Sequence, residues 1–591
     1  MPGHENGRRS LARLLTLAAM LWAPPTAQAQ PSSPQDVGAH DPLYLLTYDH
    51  GGVVLWGPDH FVKRLRDAVA WLDRYPHFKI GLDNEAYVYD YFAEKDKAVL
   101  EELRGLLERY KGRLGVGTCT YGQPLMCFVD GESNIRQIAY AAETNVERLG
   151  QTPDVYLMSE HAMHSQIPQI LEGFGFRGAI MRTHFMMYGY NPTFDVPIGW
   201  WVGLDGSRIP TIPTYEGQGA AFFRTTDDMW ILTRCPGPEC SNAWGGPTTL
   251  DGFRRKFARI HPLLATRADD SDLRREDLVR EVEGNPEYRW VLLDEILPAF
   301  PTPRVELVAP PNAFRTRMPW GYAGNEIWNR SRRAEVGVLT AERLDALARL
   351  LGGPDQEAAL RQAWKDLLIA QHHDIQIVGL PDEARRFLSA STRRSDEVAD
   401  HALRHLASEM GGEGLAQWTI FNPLSWSREE WVQVDLELPP GTARALEVRR
   451  GPERVPSALV SATRHPDGSL AEVRMAARPV LPALGADSYS VKAASSVERS
   501  PGVEIDPRGL RLSTPDLDIR LDPRGGIAAL SLERGGEVLK RGVRGAFFAG
   551  RIEGRDSEAA GSWTILSGPE GSRGRSRGRK ARSPASRTRS R

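Results

Sequence analysis

The stretch LYLLTYDH, Leu43–His50, is an apolar run that ends in polar residues and is followed by Gly51-Gly52. Four further runs repeat that grammar: FKIGLDNE (Phe78–Glu85), RLGVGTCTYG (Arg113–Gly122), VYLMSEH (Val155–His161) and GAIMRTH (Gly178–His184). Each reads as a buried strand closing on groups that can bind. Between them lie helix-period segments such as FVKRLRDAVAWLDRY (Phe61–Tyr75) and KAVLEELRGLLERYKG (Lys97–Gly112). Strand and helix in alternation predict an α/β domain with a largely parallel sheet, whose ligands gather where the strands end.

Outward from that core the pattern changes twice. A helical region holds AEVGVLTAERLDALARLLGG (Ala334–Gly353), and Pro354 then opens EAALRQAWKDLLIAQHHD (Glu357–Asp374). From about Gln417, alternating segments such as WVQVDLEL with frequent Pro-Gly turns predict an antiparallel β-domain. The expected organisation is a β/α barrel-like catalytic domain over 41–325, a helical bundle over 326–411 and a β-sandwich-like domain over 415–567.

The chain is 591 residues long, enough for two to four domains, and 41% hydrophobic with 25% charged residues, as in ordinary globular proteins. Its net charge of -2 is uneven. The end, Gly571–Arg591, carries nine Lys/Arg and no acid, so the remainder sums to -11. An acidic body argues against nucleic acid as the partner, and residues 568–591 read as a solvated, disordered tail. At the other end, Arg8, Arg9 and Arg13 precede or enter the apolar run LLTLAAMLW, and TAQAQ offers a cleavage site after Ala29. Residues 1–29 therefore read as a signal peptide, with export to the periplasm or the extracellular space. No later segment reaches 18 uninterrupted apolar residues, so stable membrane insertion is not expected. Four cysteines, with Cys119/Cys127 and Cys235/Cys240 as candidate pairs, show no zinc-ribbon spacing; free thiols remain the alternative.

Three His/Asp/Glu clusters carry the chemistry. The first is TYDHGG, Thr47–Gly52; the second is MSEHAMHS, Met158–Ser165; the third is QHHD, Gln371–Asp374. In the last, Leu360, Trp364, Leu367, Leu368 and Gln371 share one helical face, so a continuing helix would project His373 almost opposite it with His372 between. The two histidines are not expected to do the same job. Asp83 and Glu85, beside Asn84, end the second strand; Tyr121, Gln123 and Arg182 occupy comparable positions. Trp200-Trp201 before Leu204–Ser207 reads as a hairpin, where Trp201 either stacks on a sugar or packs in the core.

The segments GESNIRQIAYAAETNVERLG and PDVYLMSEHAMHSQIPQILEGFGFRGAIMRTH, followed in order by WWVGLDGSRIP, QHHD and TIFNPLSWSRE, resemble glycoside hydrolase family 38, the α-mannosidases. The resemblance runs from about Leu43 to Arg428 and implies an α/β barrel-like domain, a helical bundle and then β-domains, the last longer than here. It implies a zinc site and, carried over residue by residue, metal ligands Asp49, His373 and Glu160, with Glu160 as nucleophile and Asp374 orienting substrate. Three positions depart from the family pattern. Thr47 stands where the family has its first His, leaving neighbouring His50 to replace it. Glu160 stands for the family's Asp, and an alignment anchored on Pro168 puts Ser159 there instead. RTRMPWGYAGNEIW has no carboxylate before Trp320, so Glu326 is the nearest candidate acid. Asp83, Glu85, Tyr121, Arg182 and Trp201 remain as substrate contacts. The expected function is a metal-assisted retaining glycosidase acting on α-mannosides or related α-linked sugars. The alternatives are a metal-dependent carbohydrate deacetylase-like hydrolase and a carbohydrate-binding protein without catalysis.

Overall fold

In the computed structural model the described residues are 42–157, 163–181, 189–213 apart from 191, 193 and 195, 250–251, 263–267, 273–311, 315–316, 325–376, 380–410, 414–495 and parts of 504–557. The expected signal peptide, the basic tail, Cys235, Cys240, Glu160 and Arg182 lie outside them. The described residues fall into two compact units. One lies within Met1–Ala346 and Pro354–His401, the other within Leu347–Gly353 and Ala402–Arg591.

The first unit is built on the five expected strands: β1 (Leu43–Asp49), β2 (Ile80–Leu82), β3 (Leu114–Val116), β4 (Val155–Leu157) and β5 (Gly178–Ile180). β1, β2 and β3 pair in parallel, and β1 also pairs in parallel with Leu263–Arg267 and Tyr288–Val291. β4 and β5 pair in parallel and continue into Arg208–Ile212, which forms a hairpin with Gly199–Val202. Among the described residues this is a parallel half-barrel rather than a closed ring. No helix among them is long and apolar enough to cross a membrane.

Alternation along β1 sorts its side chains. Leu43 and Leu45 pack into the cluster that holds Phe61, Leu65 and Trp71 of the amphipathic helix Pro58–Arg74. Leu46 and Tyr48 join Val155, Leu157, Ile180 and Ile212 on the other face. Both faces are apolar, as a strand covered on two sides must be. Full burial of such leucines stabilises by about 1.5–3 kcal/mol each.

The helices Asn325–Leu350, Glu357–Ala370 and Pro381–Ser408 follow. Glu357–Ala370 buries Leu360, Ala363, Trp364, Leu367 and Leu368 as its stripe requires. It starts three residues after Pro354 and ends at Ala370, so the expected continuation through His373 does not occur. The second unit contains antiparallel sheets, including Ala416–Asn422 against Gly485–Ala493 and Val432–Glu437 against Leu470–Ala477. Trp418, Val448, Met475 and Tyr489 lie in its core. Cys119 and Cys127 are free thiols, so the candidate pair does not form.

Candidate active site

The site is assembled where β1, β2 and β3 end and where the helix Glu357–Ala370 stops. The stop has a visible cause. Past Gln371 the helical ladder is interrupted, and a short new turn starts at His373; His373 N–H donates to the carbonyl of Gln123 at 3.1 Å, and His372 bridges to Pro124. The loop after β3 thus captures the QHHD backbone. Gln123 sits at φ 45°, a left-handed conformation that costs a non-glycine residue about 1 kcal/mol or more. Its side-chain amide donates to the Asp83 carbonyl at 2.7 Å, so one residue ties the loop to β2 as well.

Four expected site residues meet here. The His50 and His373 rings stack at 5.5 Å between centroids, and His50 Nδ1 lies 3.1 Å from Asp83 Oδ2. His373 Nε2 lies 3.5 Å from Asp374 Oδ2. His50, Asp83 and His373 are buried, and Asp374 nearly so.

The hydrogen bonds fix the tautomers. A carbonyl only accepts, so the 2.8 Å contact from His373 Nδ1 to Gln123 O puts the proton on Nδ1 and the lone pair on Nε2. At His50 the Asp83 carboxylate, 3.1 Å from Nδ1, favours the same tautomer over the longer 3.4 Å contact from the Gln123 amide nitrogen. His372 is the opposite case. Its Nδ1 accepts the Asp374 backbone N–H at 3.0 Å, which places its proton on Nε2. The adjacent histidines therefore present different chemistry, as their spacing suggested, though through the break in the helix rather than opposite faces of it.

Glu85 and Asn84 hold the loop that carries His50. Glu85 Oε1 accepts from Val53 N at 2.7 Å and Val54 N at 3.2 Å, while Asn84 donates to Gly51 O at 2.6 Å. A β-carbon on Gly52 would lie 1.6 Å from Glu85 Oε2, so only glycine allows this approach. Burial pushes the Glu85 carboxyl up to about 7, against the pull of the loop amides.

Other expected residues are placed elsewhere. Asp49 lies on the face of β1 that carries Leu43 and Leu45. Its Oδ1 is 3.7 Å from Arg64 Nε and 3.4 Å from Gly51 N, and burial raises its carboxyl despite Arg64. It turns toward the helix Pro58–Arg74, unlike His50 beside it. Thr47 shares that face and is buried. Tyr121 donates to Asp90 at 3.1 Å in a cluster where Lys365 and Arg148 also bond Asp90, lining a separate cavity of about 440 Å³. Trp201 is packed among Tyr156, Ile167 and Leu307, the core role that the hairpin reading allowed. Glu326 is exposed between Arg330 and Arg385, and the Arg385 guanidinium holds its carboxyl below the usual range. A general acid needs the reverse shift. His164 is kept neutral, burial pushing it down to about 4.

A divalent cation fits the donor set. His373 and Asp374 belong, with His372, to a group whose ligand atoms lie within 4.8 Å of one another, the His372 Nδ1 lone pair being taken up by Asp374 N–H; His50 and His373 both have Nδ1 engaged by an acceptor. That outer support is what imidazole ligands of metals characteristically have. Gln137 bears on the site through contacts distant in sequence, and its residue type gave no sign of them. Gly51-Gly52 beside TYDH was the visible signal for a close backbone approach.

Comparison with known proteins bears on this arrangement. The family model described as glycosyl hydrolase family 57 matches residues 61–198, a minority of the chain. The solved structure of an alpha-mannosidase from Enterococcus faecalis V583 is similar, with a TM-score of 0.61 and 15% identity over 84% of this chain and 61% of that one. A protein in glycosyl hydrolase family 38 from Enterococcus faecalis gives 0.57 and 14%, over 84% and 59%. The chain thus spans about three-fifths of the length of either structure. No curated protein sequence matches it. At these identities the structures speak for the fold. The family 57 match and the family 38 fold agree at one level: the chain has a glycoside-hydrolase-like α/β fold.

Proposed function

We propose that the chain is a metal-assisted retaining glycoside hydrolase acting on α-linked sugars, α-mannosides foremost. The observation that carries this reading is the meeting of two buried imidazoles, His50 and His373, from loops distant in sequence. Each has an acceptor at Nδ1, and the Asp374 carboxylate lies 3.5 Å from His373 Nε2. Such a site, at the carboxyl ends of parallel strands in a glycoside-hydrolase-like fold, is where a polyhydroxylated substrate is expected.

His50, His373 and Asp374 would hold the cation, zinc by its preference for imidazole and carboxylate, joined by Glu160 from its own motif. When bound, the cation supplies a grip on vicinal sugar hydroxyls. The chain's own groups do the rest. Asp83 and Gln123 keep the two imidazoles in their tautomers, and Glu85 and Asn84 keep the His50 loop in place. Glu160 is the proposed nucleophile, attacking the anomeric carbon to form a glycosyl-enzyme as the glycosidic bond breaks; water protonates the departing oxygen, and the hydroxide left behind releases the sugar and restores the carboxylate. Export and a carbohydrate substrate belong to the same reading, since residues 1–29 have the form of a leader.

The test is the purified chain loaded with zinc and assayed on an aryl α-mannoside. Glu160→Gln should abolish turnover while substrate still binds. Near-normal turnover in that variant, or release of acetate from acetylated sugars without glycoside cleavage, would overturn the proposal.

A further inference from the structure

Gln137 meets the QHHD stretch only at Gln371, yet it grips both segments that come together at His373. It lies in the helix Gly131–Leu149 and is fully buried. Its side-chain Oε1 accepts from Gly122 N at 2.7 Å, and its backbone carbonyl accepts from Tyr121 N at 2.8 Å. Its Nε2 donates to Leu368 O at 2.9 Å and lies 3.3 Å from Gln371 Oε1. One amide therefore fastens the loop after β3 to the end of the helix Glu357–Ala370. Gly122 makes the fit possible, because a β-carbon there would lie 2.1 Å from Leu368 O. Farther out, Gln371 Nε2 donates to Glu335 Oε1 at 2.8 Å and to Ser133 Oγ at 3.0 Å.

What this clamp holds is the Gln123 carbonyl, next in the chain to Gly122. That carbonyl receives both His373 N and His373 Nδ1, at 3.1 and 2.8 Å. We infer that Gln137 is a positioning residue that sets the tautomer of His373 by fixing the loop 121–123 against the end of that helix. Loss of the clamp lets Gln123, already in a left-handed conformation, relax and withdraw its carbonyl. His373 Nδ1 then loses its acceptor, and the Nε2–H form, useless as a ligand through that nitrogen, becomes populated. The consequence for metal rests on the function proposed above; the consequence for the tautomer does not.

The test uses the full chain labelled with 15N-histidine. Wild type should show His373, assigned by its loss in His373→Ala, as the Nδ1–H tautomer. Gln137→Leu, close in volume but unable to bond, should give a tautomer mixture and about 10–100-fold weaker zinc binding, the usual range when outer support of a ligand is removed. Thr144→Val, an equally buried change in the same helix, should alter neither reading. If Gln137→Leu does not fold, Gln137→Met carries the same comparison. An Nε2–H His373 in wild type, or an unchanged tautomer in a folded Gln137 variant, would overturn the inference. Wild type without zinc affinity but with the tautomer shift in Gln137→Leu would sink the metal reading and leave the positioning role standing.

Discussion

Gly52→Ala places a methyl group where the carboxylate of Glu85 now lies, 1.6 Å from Oε2. To reach an ordinary contact of ~3.5 Å the carboxylate must retreat by about 2 Å. A surface glutamate would swing away at little cost. Glu85 is buried and bonded to Val53 N at 2.7 Å and Val54 N at 3.2 Å, so its retreat breaks both bonds. Each donor left without a partner costs about 1–3 kcal/mol, giving an expected loss of roughly 2–6 kcal/mol. Glu85→Ala alone should lose the same two bonds. The double variant Gly52→Ala/Glu85→Ala should then be little worse than Glu85→Ala, a coupling close to the full cost of Gly52→Ala. Urea unfolding of the four proteins, compared at a common m-value, measures the cycle. Additive losses, or a Gly52→Ala protein within about 0.5 kcal/mol of wild type, would refute the reasoning.

The same carboxyl gives a pH dependence. Burial raises Glu85 from 4.5 to about 7 in the folded chain, so the folded state keeps a proton that the unfolded chain releases between those values. Its contribution is present below pH ~4.5 and is lost as pH rises through ~7, by about 3 kcal/mol at most; Glu85→Gln should remove that decline in urea titrations across the window. His373→Ala should remove most bound zinc as measured by calorimetry, whereas His372→Ala should remove less, because its Nδ1 is occupied by Asp374 N–H; equal losses would contradict the tautomer assignment. Glu326→Gln should keep kcat within about twofold, since its carboxylate is held ionised by Arg385 at the surface; a loss of 100-fold would restore it as the acid.

The strands of the first unit were legible because each is an apolar run ended by polar groups, and burial on both faces imposes that composition. The same double burial hid the facing of β1. With Leu43, Leu45, Leu46 and Tyr48 all apolar, no alternation reveals that Asp49 turns toward Arg64 while His50 meets His373. QHHD was legible by residue type, but the end of its helix was not. That end depends on a carbonyl from Gln123, about 250 positions away, and no local propensity encodes it. The pairing of His50 with Asp83 and the grip of Gln137 are likewise long-range. Gln137 reads in the sequence as one polar residue on an amphipathic helix. Glu326 was chosen for its nearness to Trp320, and its sequence position carries no sign of Arg385 beside it.

The most direct test of the account is proton NMR of aryl α-mannoside hydrolysis by the zinc-loaded chain, recorded before the product mutarotates. The account predicts that the α-anomer of the free sugar appears first, and that removing zinc by chelation stops its appearance. A β-anomer appearing first, or hydrolysis at the same rate after chelation, would contradict it.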